Sequence, residues 1–215
     1  MKKRRLKKFC LSGFLLVMFA AWTVLVRFID VQPIAPNDTQ VGFATLNIFI
    51  HRLTGVNMFL YDLTDFLGLI PIGFAFYFAI FGLLQLVKRK SIFKVDRNII
   101  LLGLFYVALF AVFLLFELYP INYRPLLIEG NLEASYPSST TMLVVFVMLT
   151  ASMQLKVRLN NSLMQKTASV LIYVFTAFTV VARLISGVHW FTDIVGGLFF
   201  SLGLAVMYSA LTLKK

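Results

Sequence analysis

Apolar residues run along this chain in long blocks, not in alternation. Six blocks approach the roughly 20 apolar residues that a helix needs to cross a bilayer. They cover about Phe9–Ile29, Phe66–Val87, Ile99–Tyr119, Thr141–Leu155, Ala168–Ser186 and Phe191–Leu213. The fourth is short, and its helix is expected to reach back into Ser138–Thr140. Between the first two blocks, Pro33, Pro36 and Asn37-Asp38 mark a turn-rich loop. Val41–Leu63 then mixes apolar and polar residues at helical spacing, the pattern of a helix lying in the interface. The expected fold is therefore all-α: a polytopic membrane bundle of six transmembrane helices plus a short interfacial helix. No repeat or linker divides it, so residues 1–215 read as one membrane domain.

Composition agrees with this pattern. Of 215 residues, 60% are hydrophobic and 13% charged, and Phe alone contributes 23. Soluble domains are about half apolar and a quarter charged. That excludes a disordered chain, a collagen, a nucleic-acid-binding domain and almost any soluble enzyme. The single cysteine, Cys10, forms no intrachain disulfide and follows no apolar run of the kind that precedes a lipoprotein cleavage site. The first apolar block is longer than a signal-peptide core and lacks a good cleavage site, so it reads as a retained anchor.

The net charge of +11 is explained by where the charges lie. Sixteen of the twenty Lys and Arg fall in the N-terminus (Lys2 to Lys8), the second connection (Lys88, Arg89, Lys90, Lys94, Arg97), the fourth (Lys156, Arg158, Lys166) and the C-terminus (Lys214, Lys215). With six spans, all four segments share one side. The other side has only Arg27, Arg52, Arg124 and Arg183, and eight of the nine acids. The positive-inside rule then sets both termini in the cytoplasm of a cell-membrane protein and exposes connections 30–65, 120–138 and 187–190 outside.

Chemistry concentrates on that outer side. Arg124 lies in Ile-Asn-Tyr-Arg-Pro, and Arg183 lies six residues before His189. Asp193 follows His189 by four, which puts both on one helix face if the last span starts there. A carboxylate so placed can fix the imidazole tautomer and sharpen the other nitrogen as a nucleophile. Equally, the pair reads as an interfacial His with an Asp favoured by the helix dipole. Ser138, Ser139 and Thr140 open the fourth span. They read as N-capping residues or as an anion site of hydroxyls and free amides. Two guanidinium groups suited to phosphate on the same side favour a phosphate cradle beside a nucleophilic histidine. With only two histidines, and His51 distant in sequence and read as interfacial, no metal cluster is indicated.

This constellation resembles the type 2 phosphatidic acid phosphatase superfamily, related to the vanadium haloperoxidases, over roughly residues 60–210. The family's motif Ser-Arg-x5-His-x3-Asp matches Arg183, His189 and Asp193, with Ala182 at the leading position. Its Lys-x6-Arg-Pro motif matches Arg124-Pro125, with Glu117 in place of Lys. Its Pro-Ser-Gly-His motif reads here Pro137-Ser138-Ser139-Thr140. The resemblance implies a membrane phosphatase acting on a phosphorylated lipid, an isoprenoid diphosphate or a phosphatidic-acid-like lipid, at the outer face and without a cofactor or metal. His189 would form a phosphohistidine, Asp193 would orient it, and Arg124, Arg183, Ser138, Ser139 and Thr140 would hold phosphate. Thr140 cannot serve as the family's general acid. Three readings follow: another group such as Glu133, Glu129 or Tyr136 supplies the proton; the substrate is a diphosphate with a better leaving group; or the fold binds or transports a lipid phosphate without hydrolysing it.

Overall fold

The computed structural model describes residues 2–212; Leu213 of the last predicted span, Lys214 and Lys215 lie outside them. Among the described residues, six helical elements are long and apolar enough to cross a membrane, in agreement with the fold expected from the hydropathy pattern. The order is α1 (Lys2–Phe28), β1 (Gln32–Ala35), β2 (Thr39–Val41), α2 (Ala44–Thr54), α3 (Met58–Leu67), α4 (Leu69–Arg89), α5 (Arg97–Leu118), α6 (Ser139–Arg158), α7 (Ser162–Ile185) and α8 (Phe191–Thr212). The chain is a multi-pass membrane protein.

α6 is the axis of the bundle. Its buried side runs from Thr141 to Gln154, whereas α1, α4 and α5 turn large apolar side chains such as Val17, Phe76 and Val107 outward. One core layer gathers Phe78, Leu102, Val144, Met148 and Tyr208 from α4, α5, α6 and α8. Another gathers Leu109, Met142, Phe146, Phe200 and Leu204. Helices in lipid gain little from burying Leu against Leu, so small residues and hydroxyls supply cohesion. The Ser12 hydroxyl accordingly donates to the Gly203 carbonyl at 2.7 Å, joining α1 to α8. Ser152 on α6 donates to Ser169 on α7 at 3.1 Å.

The basic residues and the candidate site occupy opposite ends. Lys88 and Arg89 close α4, and Lys156 and Arg158 close α6. At that end Tyr208 of α8 donates to the Asn98 carbonyl at 3.1 Å. The other end collects the C-termini of α5 and α7 and the N-termini of α3, α6 and α8.

Two boundaries differ from the sequence reading. The interfacial helix is α2 alone, because Gly55, at φ 66°, breaks it and Asn57 caps a new helix by accepting from the Leu60 N–H at 3.0 Å. That new helix, α3, runs through Gly68 into α4, so the second span begins at Met58, not Phe66. Secondly, the turn-rich loop folds as a small antiparallel hairpin, with Asn37 and Asp38 at positive φ in its turn. Its Ala35 and Val41 bury Trp190, immediately after His189.

Candidate active site

The turn between α7 and α8 is only five residues long, from Ser186 to Trp190, and carries His189 at its tip. Gly187 adopts φ 69°, a conformation favourable to glycine, and a Cβ there would collide with the Gly55 carbonyl. The turn is therefore clamped against the α2–α3 junction. The Asn57 N–H donates to the Ser186 carbonyl at 2.9 Å, and His51 Nε2 donates to the Gly187 carbonyl at 3.0 Å. His51, read from sequence as an interfacial residue, is half-buried and braces this turn.

His189 is 3% exposed. Its Nδ1 faces Asp193 Oδ2 at 3.6 Å, just beyond hydrogen-bond distance, and neither ring nitrogen has a hydrogen-bond partner among the described residues. Burial first, and then the nearby positive charge of Arg183 and Arg124, hold its pKa well below the ordinary 6.5. The imidazole is thus neutral at pH 7, with a lone pair available.

Asp193 is fixed from several directions. Its Oδ2 accepts from the Trp190 N–H at 2.9 Å and its Oδ1 from Asn122 Nδ2 at 3.3 Å. Asn122 Oδ1 accepts from the Gly42 N–H at 3.2 Å, and Asn47 Oδ1 accepts from the Thr192 N–H at 3.2 Å. A buried, fully bonded network of this kind holds one geometry, because any member left unpaired costs its desolvation. Neither asparagine was among the residues picked out from the sequence.

The two arginines meet over one aromatic ring. Arg183 Cζ lies 4.7 Å and Arg124 Cζ 5.8 Å from the centroid of Tyr61 on α3. The two carbons are therefore no more than about 10.5 Å apart, the sum of those distances. α3 grips Arg183 further, with Nη1 donating to Thr64 Oγ1 at 3.1 Å and to Asp65 Oδ1 at 2.9 Å. Arg124 Nη2 pairs with Glu133 Oε2 at 3.0 Å, and its backbone N–H donates to the Glu133 carbonyl. Both guanidinium groups are buried, and Arg183 Nε, Arg124 Nε and Arg124 Nη1 have no protein partner among the described residues. Unpaired buried N–H groups are costly, and these donors are available to an anion. Tyr61, Thr64 and Asp65 were missed from sequence. Their i, i+3, i+4 spacing on one face of a largely apolar helix was the available signal.

The start of α6 adds backbone donors. The Ser138 hydroxyl caps the helix by accepting from the Thr141 N–H at 3.4 Å, and the Ser138 N–H donates to the Asp193 carbonyl at 3.1 Å. The Ser138 amide and one hydroxyl lone pair are thus engaged within the protein, and its O–H has no acceptor among the described residues. The amides of Ser139 and Thr140 have no protein acceptor among the described residues and carry the positive end of the α6 dipole. Both are half-buried. A cavity of about 20 Å³, room for one water, lies between His189, Ser135, Ser139 and Glu117. Among the described residues no three His, Cys, Asp or Glu side chains group as metal ligands.

Comparison with known proteins gives two results. Residues 112–215, which contain all seven of the candidate residues proposed from sequence, match the model of the PAP2 superfamily. The fold is also that of the crystal structure of the first transmembrane PAP2 type phosphatidylglycerolphosphate phosphatase from Bacillus subtilis. The two align with a TM-score of 0.65 over 95% of this chain and 98% of that one, at 17% sequence identity. No curated protein sequence matches the chain.

Proposed function

We propose that this chain, whose residues 112–215 match the PAP2 superfamily, is a membrane lipid phosphatase that works through a phosphohistidine on His189. One observation carries the reading. Two buried arginines with unpartnered N–H groups share Tyr61, beside a buried neutral histidine that a fixed carboxylate faces at 3.6 Å.

In the proposed reaction, a lipid phosphate places its non-bridging oxygens against Arg124, Arg183 and the amides of Ser139 and Thr140. His189 Nε2 attacks phosphorus while Asp193 holds Nδ1–H and balances the positive charge that grows on the ring. The arginines stabilise the charge on the equatorial oxygens of the transferred group, the largest contribution expected in such a site. The lipid leaves, and water then hydrolyses the phosphohistidine.

Charge segregation supports the site's location. The basic end of the bundle faces the cytoplasm by the positive-inside rule, so the site end faces the outside of the cell membrane. The substrate is a phosphorylated lipid of that outer leaflet, an isoprenoid diphosphate or a phosphatidic-acid-like lipid.

A second reading, binding or transport of a lipid phosphate without turnover, is favoured by one observation: Thr140 stands where the family motif has its acid. The experiment that separates them is phosphate release by the purified protein from a panel of phosphatidate, phosphatidylglycerol phosphate and polyprenyl diphosphate, compared with His189→Ala. Release that disappears in His189→Ala supports the phosphatase. Retention of the lipids with no release by the unaltered protein supports the binder.

A further inference from the structure

We infer that Glu117 is the proton-transfer residue of this site, taking the place of the acid that Thr140 cannot supply. The inference rests on the phosphatase reading above and deepens it.

The other acids near the site are committed elsewhere. Glu133 is ion-paired with Arg124 at 3.0 Å and Asp65 with Arg183 at 2.9 Å. Asp193 is held by Trp190 and Asn122 behind His189. Glu129 sits at φ 49° in a turn and, unlike the equally exposed Glu117, does not line the cavity beside His189. The Tyr136 hydroxyl is turned toward α1, where it shares a hydrogen bond of 2.7 Å with Thr23. Glu117, in the last turn of α5, is the one carboxylate among the described residues that lines the same cavity as His189 and Ser139. It has no ion-pair partner among the described residues.

The cavity has room for one water. Phe116, which also walls it, borders an apolar groove of about 580 Å³ between α1 and α5. Phe116 thus separates the groove from the cavity that Glu117 lines, and in the proposed pose a lipid chain in the groove brings its phosphate oxygen to Glu117. In the first step His189 Nε2 forms the bond to phosphorus. The bond from phosphorus to the lipid oxygen breaks, its electron pair stays on that oxygen, and the Glu117 carboxyl delivers the proton that makes the lipid alcohol. In the second step a water oxygen attacks phosphorus, the phosphorus–nitrogen bond breaks, and the Glu117 carboxylate takes the water's proton. The product is inorganic phosphate, and the carboxyl is restored.

The test compares the full-length protein with Glu117→Gln and Glu117→Asp in detergent micelles, on phosphatidate and on p-nitrophenyl phosphate. Nitrophenolate leaves without a proton, so only the second step needs Glu117 with that substrate. Glu117→Gln is expected to slow phosphatidate hydrolysis by roughly 10²-fold or more. On p-nitrophenyl phosphate it should release one nitrophenolate per protein in a burst, then turn over slowly with phosphohistidine trapped at 189. Glu117→Asp keeps a carboxyl and should recover at least about tenfold over Glu117→Gln. Equal losses on both substrates without a burst, a Glu117→Asp as slow as Glu117→Gln, or Glu117→Gln within about threefold of wild type would each overturn the assignment. If wild type itself hydrolyses neither substrate, nor a polyprenyl diphosphate, and labels no histidine, the phosphatase reading falls and this inference with it. Labelled His189 in wild type beside an unaffected Glu117→Gln removes only the inference.

Discussion

Arg183→Lys tests the cradle where its geometry is best defined. Arg183 is 2% exposed, stacks 4.7 Å from the Tyr61 ring, and spends Nη1 on Thr64 and Asp65. Its other N–H groups are what remain for phosphate. Lysine keeps the charge but offers one compact ammonium. If it pairs with Asp65 it abandons the phosphoryl oxygens, and if it reaches the oxygens it abandons α3. Loss of one preorganised donor to a developing oxyanion costs about 10²–10³ in kcat, or about 2.7–4 kcal/mol. Because the lost contact strengthens as charge builds on the transferred group, kcat should fall more than KM changes. The assay is steady-state phosphate release from phosphatidate in mixed micelles over a range of surface concentration, with melting temperature as the control for folding. Keeping the ion pair to Asp65 should leave the melting temperature within a few degrees of wild type. An Arg183→Lys protein with kcat within about threefold of wild type would refute the assignment of Arg183 as a phosphoryl-holding donor.

Further outcomes follow from the same geometry. His189→Ala should abolish turnover, while Asp193→Asn should lower it by less, because a misoriented imidazole still reacts occasionally; phosphate release measures both, and wild-type turnover by His189→Ala contradicts the nucleophile assignment. The acid limb of kcat/KM should lie well below pH 6.5, since burial and the two arginines keep His189 neutral; an apparent pKa at or above 6.5 contradicts this. The same shift makes the unfolded chain bind the proton first as pH falls below about 6.5, so the melting temperature should drop through that range as this contribution is lost. In a Glu117→Gln background, Thr140→His should restore monoester hydrolysis more than diphosphate hydrolysis, because the alkoxide needs the proton more, and equal gains reject the leaving-group account. In a Cys10→Ser background, Phe93→Cys on the α4–α5 connection, 95% exposed, should resist impermeant thiol reagents added outside the cell; efficient labelling reverses the orientation.

The hydropathy blocks and the placement of lysine revealed the six-span bundle because bilayer length and backbone satisfaction leave a 20-residue apolar segment few alternatives. The juxtaposition of Arg183, His189 and Asp193 was also legible. They lie within eleven residues, and the end of α7 and the start of α8 bring them together without long-range folding. Legibility stopped where distant segments meet. Tyr61, Thr64 and Asp65 sit over Arg183 from more than a hundred residues away, and placing the second span's start at Phe66 cut them out of it. Asn47 and Asn122 are single polar residues with no periodicity, and only the tertiary network around Thr192 and Asp193 gives them a purpose. The hairpin was invisible because strands of four and three residues containing Pro33 read as loop; they persist because Ala35 and Val41 bury Trp190. Ser138 was expected to hold phosphate; its amide donates to Asp193 and its hydroxyl caps α6, which leaves only the O–H to point at a ligand, a division of labour that spacing alone does not reveal.

The central claim is that phosphorus passes through His189. The most direct measurement mixes purified protein with phosphatidate or a polyprenyl diphosphate labelled in the terminal phosphate, quenches at millisecond to second times in alkali, and maps the label by mass spectrometry. The account predicts an alkali-stable, acid-labile phosphate on His189 that appears before free phosphate and is absent from His189→Ala. Phosphate release at the same rate with no label on His189, or with label on another residue, would contradict it.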